Sequence, residues 1–169
     1  MERQTEGKRI LYADRANADL FQRDFVNRGW ECDIAQTIDK AAELSDCGGY
    51  DAIVWHFDMD CSEDFKRKHF GKLQWFRAFQ QDAFRKDGEL KMELVPGGGF
   101  YMAHLHLEAY LGLKILTSGA GRREIIFEPF IEGGLMHLWM GRILSPENLI
   151  DVLQDEFRLR EGKIYKSGK

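Results

Sequence analysis

Three short apolar runs, separated by two amphipathic stretches, leave residues 9–56 few ways to fold. Arg9-Ile10-Leu11-Tyr12-Ala13, the Cys32/Ile34 alternation between Trp30 and Gln36, and Ala52-Ile53-Val54-Trp55 all have strand length. Between the first two, Asn17 is a candidate N-cap. Leu20, Phe21 and Phe25 stripe one helix face, and Asn27-Arg28-Gly29 supplies a C-cap. Between the second and third, Thr37 caps a helix carrying Ile38, Ala41, Ala42 and Leu44, which Cys47-Gly48-Gly49 breaks. Strand–helix–strand, repeated with loops this short, predicts a parallel sheet with right-handed crossovers. The first strand is apolar on both faces and reads as central; the second reads as lying near an edge. In such sheets the strand ends and the loops after them open a crevice. Here they deliver Asp14 and Arg15 from the first strand, and His56 and Asp58 from the third.

The 169 residues are 44% hydrophobic with a net charge of −4, which suits one globular domain spanning 1–169. No basic block points to nucleic acid. No apolar run reaches the roughly 18 residues of a membrane span. Met1-Glu2-Arg3-Gln4 opens the chain without an apolar signal core. Cys32, Cys47 and Cys61 are odd in number and lack metal-ligand spacing, so reduced thiols and a cytoplasmic location are expected.

Residues 60–144 read as an elaborated region. Asp60–Asp87 is helical in composition, capped by Ser62 and divisible at Gly71. Leu90–Val95 reads as a strand, Pro96-Gly97-Gly98-Gly99 as a tight loop, Tyr101–Tyr110 as a helix ended near Gly112, and Lys114–Thr117 as a strand. Glu124–Ile131 and Leu135–Ile143 read as two strands of a hairpin turned at Glu132-Gly133-Gly134. Ser145 and Pro146 open a last helix over 145–161, striped by Leu149, Ile150, Leu153 and Phe157, and 162–169 reads as a frayed basic tail. The expected fold is a three-layer α/β/α sandwich, a flavodoxin-like parallel sheet of about five strands with an inserted helical segment and a C-terminal β-hairpin.

RILYAD, the helix after it, NRGWECDIAQTIDKAAEL and GGYDAIVWHFDM, in this order and spacing, resemble the first three strands of a bacterial response-regulator receiver domain. The resemblance covers residues 8–59, and SPENLIDVL is similar to the start of a receiver's last helix. It implies a Mg²⁺ pocket at the first strand end and a phosphate-accepting Asp at the third. Laid on that pattern, Asp14 fits the first acidic position, Arg15 the second, and His56 the acceptor, with Asp58 two residues on. Thr117 or Ser118 fits the switch Thr/Ser, and Glu128-Pro129-Phe130 the Lys-Pro-Phe. Mg²⁺ prefers hard oxygen ligands, so imidazole and guanidinium at two of these positions disfavour it. A Glu at the Lys position repels an acyl phosphate. The combination resembles the atypical pseudo-receivers. A second resemblance is local: PGGGFYMAHLHLEAYLGLKI looks like the nucleophile turn of class I glutamine amidotransferase-like domains, with Tyr101 in place of the catalytic Cys.

These readings imply a non-catalytic, two-component-type signalling domain without metal or cofactor. It would act on a protein partner, as a homodimer through the 124–143 hairpin. The alternative is a small-molecule or degenerate amidotransferase-like site around Gly97, Gly98, Gly99, Tyr101 and His104. His104 and His106 do not share a helix face, so joint ligation with His137 is not expected. The Gly97–Gly99 turn and Ser118–Arg123 are further anion candidates, each with a plain-loop reading beside it. Trp75, Phe76, Trp139 and Met140 read either as a partner interface or as an enlarged core. A filled pocket at Asp14 and His56 favours the signalling reading; an open cleft lined by Glu93, Tyr101 and His104 favours the ligand site.

Overall fold

The computed structural model describes residues 7–16, 18–83, 97–118, 124–141 and 145–166. Asn17, the Leu90–Val95 strand, Glu93 and the 119–123 loop lie outside the described residues. Five parallel strands form one sheet in the order β2-β1-β3-β4-β5: β1 (Arg9–Ala13), β2 (Glu31–Ala35), β3 (Ala52–His56), β4 (Leu113–Thr117) and β5 (Leu138–Met140). The three inner strands are buried almost throughout, as two-sided apolar runs require, and the edge strands β2 and β5 are not.

Helices cover both faces. On one, Phe21 and Phe25 of α1 (Ala18–Asn27) and Leu149, Leu153 and Phe157 of α7 (Pro146–Lys166) pack on Ile10, Val54 and Ile115. On the other, α2 (Ile38–Asp46), α5 (Gly97–Leu107) and α6 (Glu124–Glu132) meet Leu11, Ile53, Trp55 and Leu116. Thr37 caps α2 by accepting the Lys40 N–H at 3.2 Å. Gly29 closes α1 at φ 81°, with Trp30 N–H bonded to Phe25 C=O at 3.0 Å.

Residues 60–83 form an added layer, α3 (Glu63–Lys68) and α4 (Phe70–Ala83), parted at His69 rather than at Gly71. Ser62 caps α3, accepting the Phe65 N–H at 3.0 Å. This layer explains α5. Gly97 to Leu105 are buried all the way round, which a helix tolerates only when covered on its outer side too. Phe65 stacks edge-on against Phe100, and Phe76 and Phe79 stack on Phe130. Phe76 is fully buried and Trp75 partly so, stacking on Phe79 and His106, so the aromatic surplus of α4 builds an enlarged core.

Three expectations are corrected. The 124–143 hairpin does not form: 124–132 is the helix α6, with Pro129 inside it, and among the described residues of 133–143 only Leu138–Met140 is a strand, parallel to β4. Gly133-Gly134 is a helix C-cap. Gly134 has φ 74°, its N–H bonds Ile131 C=O at 3.0 Å, and Leu135 N–H bonds Phe130 C=O at 2.9 Å, the Schellman pattern with buried Leu135 and Phe130 as its apolar contact. Second, α5 begins at Gly97, so the triple glycine opens a helix instead of forming a loop before one. Third, α7 runs to Lys166, past the expected end at 161.

Candidate functional site

The sheet order reverses between β1 and β3, so the crevice of an open α/β sheet falls at their C-terminal ends. Asp14, Arg15 and His56 are all there. The Asp14 carboxylate is engaged by its own turn, accepting from Tyr12 Oη at 3.1 Å and from the Ala16 N–H at 3.2 Å. Burial and the Asp14 charge push the Tyr12 phenol well above its ordinary range, so it stays a donor to that carboxylate. Arg15 reaches across to pair with Asp60, an ion pair between exposed side chains. Such pairs contribute only about 0–1 kcal/mol, but this one places a guanidinium where a cation ligand would be needed.

His56 closes β3 half-buried. Its Nδ1 accepts the N–H of Asp58 at 3.1 Å, folding the strand end into a turn. That bond uses the ring nitrogen as an acceptor, as the carboxylate of an Asx turn would. Asp58 itself is exposed. Thr117, which closes β4, is 4% exposed and turns its hydroxyl inward to donate to Trp55 C=O at 3.3 Å. Phe57 and Met59, between these polar residues, are buried. Glu128 is displaced from the expected place: it is exposed on α6, whereas the residue following β5 is Gly141. The Glu128-Pro129-Phe130 match fails because it assigned a helix to a strand.

The Gly97–Gly99 turn is corrected as a ligand cradle. A Cβ on Gly98 would lie 2.3 Å from Phe57 O and 2.5 Å from His56 O; one on Gly97 would lie 2.5 Å from Met59 O. Carbonyl oxygens at that range leave no space for an anion and carry the wrong partial charge. Gly97 and Gly98 serve close approach of α5 to the β3–α3 turn. Trp55 Nε1 donates to Gly98 C=O at 2.8 Å, and Tyr101 Oη donates to Ala41 C=O at 3.2 Å, both buried. Tyr101 stacks edge-on against Trp55 and is fully buried, so it presents nothing to a ligand.

His104 lies one turn further along α5, 1% exposed. Its Nδ1 faces Lys72 Nζ at 2.9 Å and its Nε2 faces Asp46 Oδ1 at 2.8 Å; Lys72 also pairs with Glu108. An ammonium only donates, so the ring proton lies on Nε2 and is given to Asp46. The bond from Lys72 holds the Glu108 carboxyl below its ordinary range, and burial followed by Lys72 lowers His69 alongside. The chain Asp46–His104–Lys72–Glu108 ties α2, α4 and α5 together, with both ring nitrogens of His104 matched. It borders a cleft of about 380 Å³ lined by Ser45, Asp46, His104, Leu105, Glu108 and Tyr110. Tyr101 does not line that cleft, and His106, on Trp75, and His137, beside Lys114, lie apart from it. Asp60, Asp46 and Lys72 were not legible as partners, because each meets its mate across 30 to 60 residues of chain.

No protein-family model matches the sequence, and no curated protein matches it significantly. Solved structures do. A response-regulator receiver domain (CheY-like) from Methanospirillum hungatei JF-1 is 15% identical at a TM-score of 0.62, covering 94% of this chain and 99% of that one. The signal receiver domain of a putative LuxO repressor protein from Vibrio parahaemolyticus is 9% identical at 0.63, covering 96% and 99%. The signal receiver domain of an HD domain-containing protein from Pseudomonas fluorescens Pf-5 is 13% identical at 0.60, covering 95% and 94%. Among the described residues no helix is long and apolar enough to cross a membrane. The five-stranded parallel sheet, its order and these neighbours together give the chain the fold of the response-regulator receiver domain.

Proposed function

We propose that this chain is a non-catalytic signalling domain, a degenerate receiver that does not accept phosphate in the usual way and acts through contact with a protein partner in the cytoplasm. The carrying observation is the exchange of chemistry at the strand ends. His56 falls at the acceptor place with its Nδ1 bound to the Asp58 amide, and Arg15 pairs with Asp60 beside the carboxylate of Asp14. Phosphoryl transfer to a carboxylate needs that carboxylate and a divalent cation to neutralise developing charge. Imidazole and guanidinium supply neither. The buried Thr117 hydroxyl, bonded back to β3, supports the same reading. A homodimer through a 124–143 hairpin is dropped, since α6 replaces that hairpin.

The test is incubation with a small phosphodonor and Mg²⁺, followed by intact mass measurement. The expected result is unmodified protein. A phosphoryl adduct that disappears in Asp58→Ala or His56→Ala overturns the proposal.

A second reading, a small-molecule site, keeps one supporting observation, the cleft beside His104. With Tyr101 buried where an amidotransferase nucleophile would stand, that reading is one of binding and not of acyl chemistry.

A further inference from the structure

Lys114, His137 and Arg160 meet at the end of the sheet opposite to Asp14 and His56, where β4 and β5 begin. Lys114 is 5% exposed, and its ammonium donates to Gly134 C=O at 2.7 Å. Among the described residues no carboxylate pairs with it, although buried lysines ordinarily have an anionic partner. Burial and the nearby Arg160 charge lower its pKa, the signature of a cation without a counter-ion.

His137 makes the deficit sharper. Its Nδ1 accepts the Lys114 N–H at 3.0 Å. A neutral imidazole has one N–H, which therefore lies on Nε2. Yet Nε2 stands 2.7 Å from Arg160 Nη2, and a guanidinium only donates. Two donors face each other with no acceptor between them. A second ring proton does not resolve this, because Nδ1 would then lose the Lys114 amide. Among the described residues no carboxylate forms an ion pair with Arg160 either; Asp51 accepts the Arg9 N–H at 2.8 Å. His137 is exposed as a residue although part of its side chain packs against Lys114, so a ligand can reach it.

We propose that His137, Arg160 and Lys114 form a binding site for a small oxyanion, a phosphate or carboxylate group. One oxygen accepts from His137 Nε2–H, the guanidinium forks onto the anion after a rotamer change, and Lys114 supplies the second positive charge. The site is independent of the strand-end pocket, so it stands or falls apart from the signalling reading.

The test follows the His137 ring in long-range ¹H–¹⁵N spectra, in a zwitterionic buffer, during titration with inorganic phosphate and separately with acetate. Chloride at matched ionic strength is the control. A saturable shift with phosphate or acetate, absent with chloride, is expected, and the tighter of the two identifies the preferred group. Arg160→Gln, a change on a partly exposed helix face, is expected to weaken binding about tenfold or more, the worth of one charge-assisted bond. Arg160→Lys is expected to recover part of it. A shift that is absent, that chloride reproduces, or that Arg160→Gln leaves unchanged overturns the proposal.

Discussion

Gly98→Ala tests whether the triple glycine exists for packing. The added Cβ would meet Phe57 O at 2.3 Å, whereas real Cβ atoms essentially never come closer than 3.0 Å, so the backbone must part by about 0.7 Å. The obstacle is carbonyl oxygen in a turn held by His56 and Met59, and no flexible side chain is present to yield. On its other side α5 is walled in by Phe65 and Phe76, so moving it outward disturbs a second packed layer. Overpacking of this kind costs about 1–3 kcal/mol. The same shift stretches the buried Trp55 Nε1–Gly98 C=O bond of 2.8 Å, and an unsatisfied buried donor costs about 1–3 kcal/mol more. The sum, about 2–6 kcal/mol, is a large part of the about 5–15 kcal/mol typical of a domain. Urea unfolding, followed by tryptophan fluorescence and far-UV circular dichroism, reads it as a lower midpoint at unchanged slope. Gly71→Ala is the control, because nothing lies within 4 Å of a Cβ there; it is expected to stabilise α4 by about 0.5–1 kcal/mol. If Gly98→Ala lies within about 0.5 kcal/mol of the parent, the close-approach reasoning fails and the turn has room for something else.

Arg15→Asp combined with His56→Asp is expected to create a Mg²⁺ site with Asp14, seen as saturable heat in calorimetry that the parent lacks; silence in the variant refutes the positional reading. Ala109 ends α5 at φ 54°, with Tyr110 N–H bonded to Leu105 C=O at 3.0 Å. Left-handed backbone costs a residue with a Cβ about 1–2 kcal/mol, and glycine's extra unfolded-state freedom offsets about 0.4–1 of it. Ala109→Gly is therefore expected to raise stability by about 0.5–1 kcal/mol, checked by urea midpoint. Burial, then Arg160 and Lys114, depress the His137 pKa from 6.5 to about 4. The unfolded chain binds this proton first, so stability is present above pH 6.5 and is lost as pH falls from 6.5 towards 4. After discounting for the residue's partial solvent exposure, the loss is about 1 kcal/mol. It is measured as the difference between parent and His137→Asn unfolding curves in anion-poor buffer, and equal slopes contradict it.

The parts of the fold legible in sequence are those decided locally. Thr37, Ser62 and Gly29 cap the helices they were expected to cap, because a cap needs only its own next turn. The two-sided apolar run of β1 read directly as a central strand, and Ala52–Trp55 of β3 as a strand. Gly133-Gly134 failed because glycine serves two ends equally well: positive φ makes a hairpin turn and also a Schellman cap. What separates them is whether Phe130 finds a covered seat, and that seat is made by Phe76 and Phe79 of the added layer. Glu128 was misplaced for the same reason, one error of element type carrying the site residue with it. His56, Asp14 and Arg15 were legible because strand ends position them by adjacency alone. The Arg15–Asp60 pair and the Asp46–His104–Lys72–Glu108 chain were not, since they exist only once residues 57–83 fold back over α5. The added layer thus does more than enlarge the core. It covers α5, which clamps the β3 end through Trp55 and Gly98, so the strand end where a receiver's chemistry is placed is held by packing on one side and by an ion pair across its mouth.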